Sequence, residues 1–159
     1  MRFIKDSELE QVEAYMAEAV IEAAKSTCTK SQRGAVIVKV FEIVGRGHNK
    51  PTIAELCNPC IRHDIRDNSR VELCSAVHAE QAAILDAARN YKSTEHASLY
   101  HAFVKDGVVG PAGPPSCTVC SRFMYAAGID DVILRQTKGY VLYDIREFQR
   151  LSFDFFLNK

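Results

Sequence analysis

The chain has 159 residues with 20 basic and 20 acidic side chains, and 47% of it is hydrophobic, enough for the core of one domain spanning 1–159. Balanced charge argues against broad electrostatic binding to nucleic acid, which shows as a basic surplus, and no apolar run approaches the roughly 18 residues of a membrane helix. Met1 to Asp6 is charged and lacks the apolar stretch of a signal peptide, so a cytoplasmic location is expected, where six cysteines read as metal ligands rather than disulfides.

In chain order, residues 8–25 are rich in strong helix formers. Val12, Met16, Ala19, Val20 and Ala23 recur at helical spacing and predict one core-facing side. Residues 35–40 and 43–47 then predict two neighbouring strands, turned between Lys39 and Glu42. Residues 48–75 are polar and hold Pro51, Pro59 and three cysteines; so long a stretch is read as an ordered loop. A strong helix is expected over 78–90, a strand over 97–103 and a Gly/Pro-rich loop over 107–116. A short helix over 117–127 stops at Gly128, as helices often do at glycine. A fourth strand follows over 129–134. Gly139 to Val141 suggests a short strand, and residues 143–157 an amphipathic helix within a tail spanning 143–159. Alternating helices and strands predict a three-layer α/β domain.

Two motifs carry chemistry. His78-Ala79-Glu80 is followed by Cys117-Thr118-Val119-Cys120. One imidazole and two thiolates hold zinc by three protein ligands and leave the fourth tetrahedral position to water, the pattern of a catalytic site. Glu80 is not needed as a ligand and is placed to move protons. Alone, His-x-Glu usually marks a solvated helix start, and Cys-x-x-Cys could be half of a structural zinc site or a redox pair. Together, in this order, they form the signature of zinc-dependent nucleobase deaminases. Each motif should open a helix, whose positive end favours the thiolates.

On these residues the chain resembles the cytidine deaminase superfamily, and within it most closely the deoxycytidylate deaminases. Further pieces of the resemblance are Ser26-Thr27-Cys28, Arg33 to Val38, Gly47 to Pro51, Cys74, Leu99-Tyr100 and Ala127-Gly128-Ile129. The resemblance implies a three-layer α/β/α sandwich around a central mixed five-stranded sheet. It implies hydrolysis at C4 of a cytosine nucleotide, most of all dCMP to dUMP with release of ammonia. It also implies a homo-oligomer, with Asn49 at the sugar, the Ala79 backbone at the base and Ser116 lining the pocket. The chain departs from the family pattern in four places. Ser116 separates Pro115 from Cys117, Ala82 stands in place of an asparagine, Lys50 in place of a glycine, and residues 101–115 are longer than usual.

Four cysteines remain: Cys28, Cys57, Cys60 and Cys74. Four is the number a structural zinc site needs, and Cys57-Asn58-Pro59-Cys60 has ligand spacing. Relatives with a second zinc in this region support an ion bound by Cys57, Cys60 and Cys74, with Cys28 or His63 fourth; buried thiols are the plainer alternative. Arg62, Arg66 and Arg70 are candidates for a phosphate clamp, though a charged loop is more often simply solvated. His48 and His101 are candidates near the pocket, though such a histidine is more often structural, and His96 reads as exposed. Phe148, Phe153, Phe155 and Phe156 read as core or subunit packing. Competing functions are deamination of a free nucleoside or base (cytidine, guanine or related), tRNA adenosine editing, and a non-enzymatic zinc-structural nucleotide-binding protein. The retained Glu80 argues against the last.

Overall fold

Alternation along two neighbouring strands sets the layers. Ala35 and Ile37 face one side of the sheet, Val36 and Val38 the other, and all four are buried. In the computed structural model, which describes residues 1–65 and 70–158, these residues sit in the middle of the molecule. The elements are β1 (Arg2–Phe3), α1 (Asp6–Ala24), β2 (Gln32–Lys39), β3 (Glu42–His48), β4 (Lys50–Pro51) and β5 (Ala76–Val77). They continue with α2 (Ala79–Arg89), β6 (Ala97–Lys105), β7 (Val108–Gly110), α3 (Thr118–Ala126), β8 (Ile129–Gln136), β9 (Gly139–Asp144) and α4 (Ile145–Leu157). Among the described residues of the loop expected over 48–75 stand β4 and 3-10 turns at Ala54–Leu56 and Val71–Leu73.

The main sheet runs β1-β9-β8-β6-β2-β3, and β7 pairs with β6. Only β6 and β8 run parallel, so the sheet is mixed. Its five central strands are those the resemblance implies, but the sheet has seven. The two-residue β1 extends it beyond β9. The long 101–115 segment supplies β7, because Asp106 and Gly107, both at positive φ, turn Val108–Gly110 back onto Phe103–Lys105. An Asp-Gly pair suits that two-residue hairpin turn.

One face of the sheet carries α1, with Val12, Met16 and Ala19 on Val36, Tyr100 and Ile133. The other face carries α2, α3 and α4, with Ala83, Met124 and Phe148 packed over Ile37, Leu99 and Val132. Each large side chain fully buried here contributes about 1.5–3 kcal/mol relative to exposure. Close approach is required where α2 meets β3: a Cβ on Gly47 would collide with the backbone of Ala79 and Ala83. The last helix starts later than its apolar pattern suggests. Tyr143 still pairs with Val132 in the sheet, and Asp144 caps α4 by accepting from Arg146 N at 2.9 Å. Among the described residues no helix is long and apolar enough to cross a membrane.

Candidate active site

The two motifs sit at helix starts held by the sheet. β5 pairs with β4, joining Lys50 to Val77 and Pro51 to Ala76, and so fixes the chain entering His78. His78 immediately precedes α2, and its backbone N donates to Gln81 Oε1 at 3.1 Å. Cys117 caps α3: its sulfur accepts from Cys120 N at 3.3 Å. The two helices pack together.

The three donor atoms consequently converge. His78 Nδ1 lies 3.1 Å from Cys120 Sγ and 3.6 Å from Cys117 Sγ. All three lie within 4.8 Å of one another, the only such set of three or more among the described residues. One imidazole and two sulfurs at this spacing fit zinc as ligands. Electrostatics suit the same ion. Hydrogen bonding from Cys120 pulls the Cys117 thiol down to about 5, while that same contact and burial push Cys120 up. Burial opposes charge on His78, but hydrogen bonds with Cys117 and Cys74 outweigh it and hold it up to about 10. Zinc binding therefore displaces protons from this set, since ligation needs neutral imidazole and thiolates.

Glu80, in the first turn of α2, is buried beside the donors without being one of them. Burial disfavours its carboxylate, but the positive charge of His101 when protonated, of His78 and of Arg33, with a backbone hydrogen bond, outweighs burial and lowers its pKa. His101 Nε2 lies 3.9 Å from Glu80 Oε1. Burial pushes His101 down to about 4, so at neutral pH it is a neutral dipole and Arg33 supplies standing positive charge.

A cavity of about 150 Å³ opens over these groups. Ala79 and Ser116 line it, as does Asn49. The Asn49 carboxamide is already tied to the start of β2: Oδ1 accepts from Arg33 N at 2.7 Å and contacts Ser26 Oγ at 2.6 Å, and Nδ2 donates to Ser31 O at 2.9 Å. One Nδ2 hydrogen is left for a ligand.

The expected second zinc site is not assembled. Cys28, Cys57, Cys60 and Cys74 all line the cavity, yet no three of them bring their sulfurs within ligating distance of one another. Cys57 Sγ instead contacts Ser75 Oγ at 3.2 Å, and Cys74 is hydrogen-bonded to His78, which lowers it to about 7. His63 is exposed and contacts Asp64 at 3.0 Å. Of the proposed phosphate clamp, Arg62 is buried and lines the cavity, Arg70 pairs with Glu72 outside it, and Arg66 lies outside the described residues. His48 lies off the cavity, 3.5 Å from Glu22, and His96 is exposed beside Asp130. Phe148 is core and reaches the cavity wall, whereas Phe153 is exposed.

Sequence reasoning passed over Arg33 and left His101 as structural. Strand phase was the available signal: Arg33 lies in phase with Ala35 and Ile37, on the face covered by α2, and Ala35 pairs with His101.

Fold and donor set together are those of the zinc-dependent nucleobase deaminases. The chain belongs to the family described as the cytidine and deoxycytidylate deaminase zinc-binding region, which matches residues 9–136. It is 31% identical over 129 residues to a deoxycytidylate deaminase of Mycobacterium phage D29, covering 76% of this chain and 91% of that one. It is 28% identical over 127 residues to a deoxycytidylate deaminase of Saccharomyces cerevisiae, covering 77% of this chain but only 36% of the yeast protein. Among solved structures it resembles dCMP deaminase from the cyanophage S-TIM5, with a TM-score of 0.54 at 25% identity, over 81% of this chain and 82% of that one.

Proposed function

We propose that the protein hydrolyses dCMP to dUMP and ammonia. The observation that carries this reading is the assembled His78/Cys117/Cys120 set with Glu80 beside it, at the floor of a cavity whose wall bears Lys30, Arg33 and Arg62. Glu80 is the single carboxylate among the described lining residues, so the wall is net cationic. A phosphate monoester, with a charge of about −1.5 to −2 at pH 7, complements such a wall better than a neutral nucleoside or base does. The deoxycytidylate deaminase relatives support the same choice.

His78, Cys117 and Cys120 would hold zinc, which would supply Lewis-acid activation of water at neutral pH. The chain's own residues do the rest. Glu80 takes the proton released as water attacks C4 and delivers it to the ring nitrogen. It then takes the second proton from the hydroxyl now on C4 and passes it to the exocyclic amine, so that the C–N bond breaks, the C4 carbonyl forms and ammonia leaves. The Ala79 backbone, at the first position of α2, contacts the base; Asn49 contacts the sugar and Ser116 closes the pocket. His101 is a neutral neighbour that does not compete with Glu80 for protons near neutral pH.

The test is ammonia release from dCMP, deoxycytidine, CMP and cytosine, measured side by side on zinc-replete protein. Preference for dCMP is expected. Turnover of deoxycytidine or cytosine in its place would keep the chemistry and reject the nucleotide.

A further inference from the structure

The three cationic side chains of the cavity wall are not equivalent. Lys30 Nζ donates to the Arg62 carbonyl at 2.7 Å and also to that of Ile65, so it ties the loop together. Arg62 sits within that same loop, buried and hydrogen-bonded to Cys74. Arg33 is different. It stands on β2 in register with Phe103 of β6, and its guanidinium lies 4.3 Å from the centre of the Phe103 ring. Among the described residues its side chain makes one hydrogen bond, from Nη1 to the Ala112 carbonyl at 3.4 Å. No carboxylate among them pairs with it; the near neighbour of Glu80 is His101 instead.

A guanidinium offers five N–H donors in a fixed fork, and buried donors in folded proteins find acceptors. Arg33 lines the same cavity as Glu80 and Cys117. Stacking on Phe103 fixes a long side chain before anything binds. Less conformational freedom is then lost when a ligand is captured.

We infer that Arg33 is a specificity-determining residue, whose stacked guanidinium donates to an acceptor oxygen of the bound nucleotide. The inference rests on the nucleotide reading above. Two oxygens share the required chemistry, those of the phosphate and the carbonyl at C2 of the ring, and one experiment separates them. Arg33→Met keeps the apolar stem over Phe103 and removes the fork; Arg33→Lys keeps the charge as a point. Phe103→Leu keeps the fork but frees it, and serves should Arg33→Met fail to fold. Each is checked for zinc content and melting temperature. Binding of dUMP and of deoxyuridine, products that do not turn over, is then measured by calorimetry on zinc-loaded protein.

Arg33→Met is expected to weaken dUMP binding by about 10- to 100-fold, the range for a charge-assisted hydrogen bond. Arg33→Lys should recover part of this, and Phe103→Leu should lose a smaller factor. KM for dCMP should rise by a similar factor with kcat much less affected, as for a contact made in ground and transition states alike. Loss confined to dUMP places the fork on the phosphate; equal loss for deoxyuridine places it on the ring carbonyl. Unchanged affinity for both ligands in a folded, zinc-loaded variant overturns the inference. So does a fall in kcat with KM constant, which would mean that Arg33 acts only through Glu80. Protein that binds dUMP through Arg33 yet releases no ammonia from dCMP would reject the proposed reaction and leave this contact standing.

Discussion

Two sulfur-rich regions share one cavity and differ in what holds them. His78, Cys117 and Cys120 stand at the starts of α2 and α3, which pack on the sheet and on each other. Cys57 and Cys74 each follow a short 3-10 turn, Cys60 lies just beyond Cys57, and Cys28 stands on the connection after α1. The first set converges within 4.8 Å; the second does not. Cys57-x-x-Cys60 has the same spacing as Cys117-x-x-Cys120, yet its residues face each other across an isolated backbone bridge rather than lying on one helical turn. Spacing permits ligation; anchored elements bring it about.

The largest expected effect comes from breaking the anchored set. Cys117→Ala should lose both zinc and turnover, read by metal analysis and ammonia release; retained zinc would deny Cys117 its ligand role. Glu80→Gln should keep zinc and fold while turnover falls by at least about 10²–10⁴-fold, the usual contribution of general acid–base catalysis. A wild-type rate in that variant would remove Glu80 from the proton path.

Anchoring itself is tested by Gly47→Ala. The new methyl meets the backbone of Ala79 and Ala83, so stability should fall by about 1–3 kcal/mol, as in other overpacked sites. Because α2 carries His78 and Glu80, zinc affinity should weaken with it. Denaturant melts and a zinc titration read the two together, and a stable variant with normal affinity would show that the glycine contact is dispensable. The smallest effect is expected from the unanchored set. Joint replacement of Cys57 and Cys60 by serine should leave zinc near about one ion per chain, the content of a single three-ligand site. Two ions in the parent and one in the variant would show that the loop thiols close on a second metal.

Much of the site was legible in order and spacing. His-x-Glu and Cys-x-x-Cys name their chemistry because a donor set and a non-ligand carboxylate are local patterns, and both fall where helices begin. The hairpin of Asp106 and Gly107 was not legible: residues 107–116 read as a loop until β6 is there to receive β7. Arg33 was hidden for a different reason. A charged residue at a strand start is usually solvated, and only its cross-strand partner Phe103 and the helices over that face turn it into the cavity.

By itself the sequence determined the alternation of helices and strands, the two apolar faces of the sheet and the donor types available to a metal. These follow from periodicity and side-chain chemistry, which act over a few residues. Tertiary structure alone decided which cysteines meet, that Asn49 is bound to β2, that His101 is desolvated beside Glu80, and that Arg33 lines the cavity. Each depends on residues distant in the chain meeting across strands and helix ends, and no local pattern encodes the distance between them.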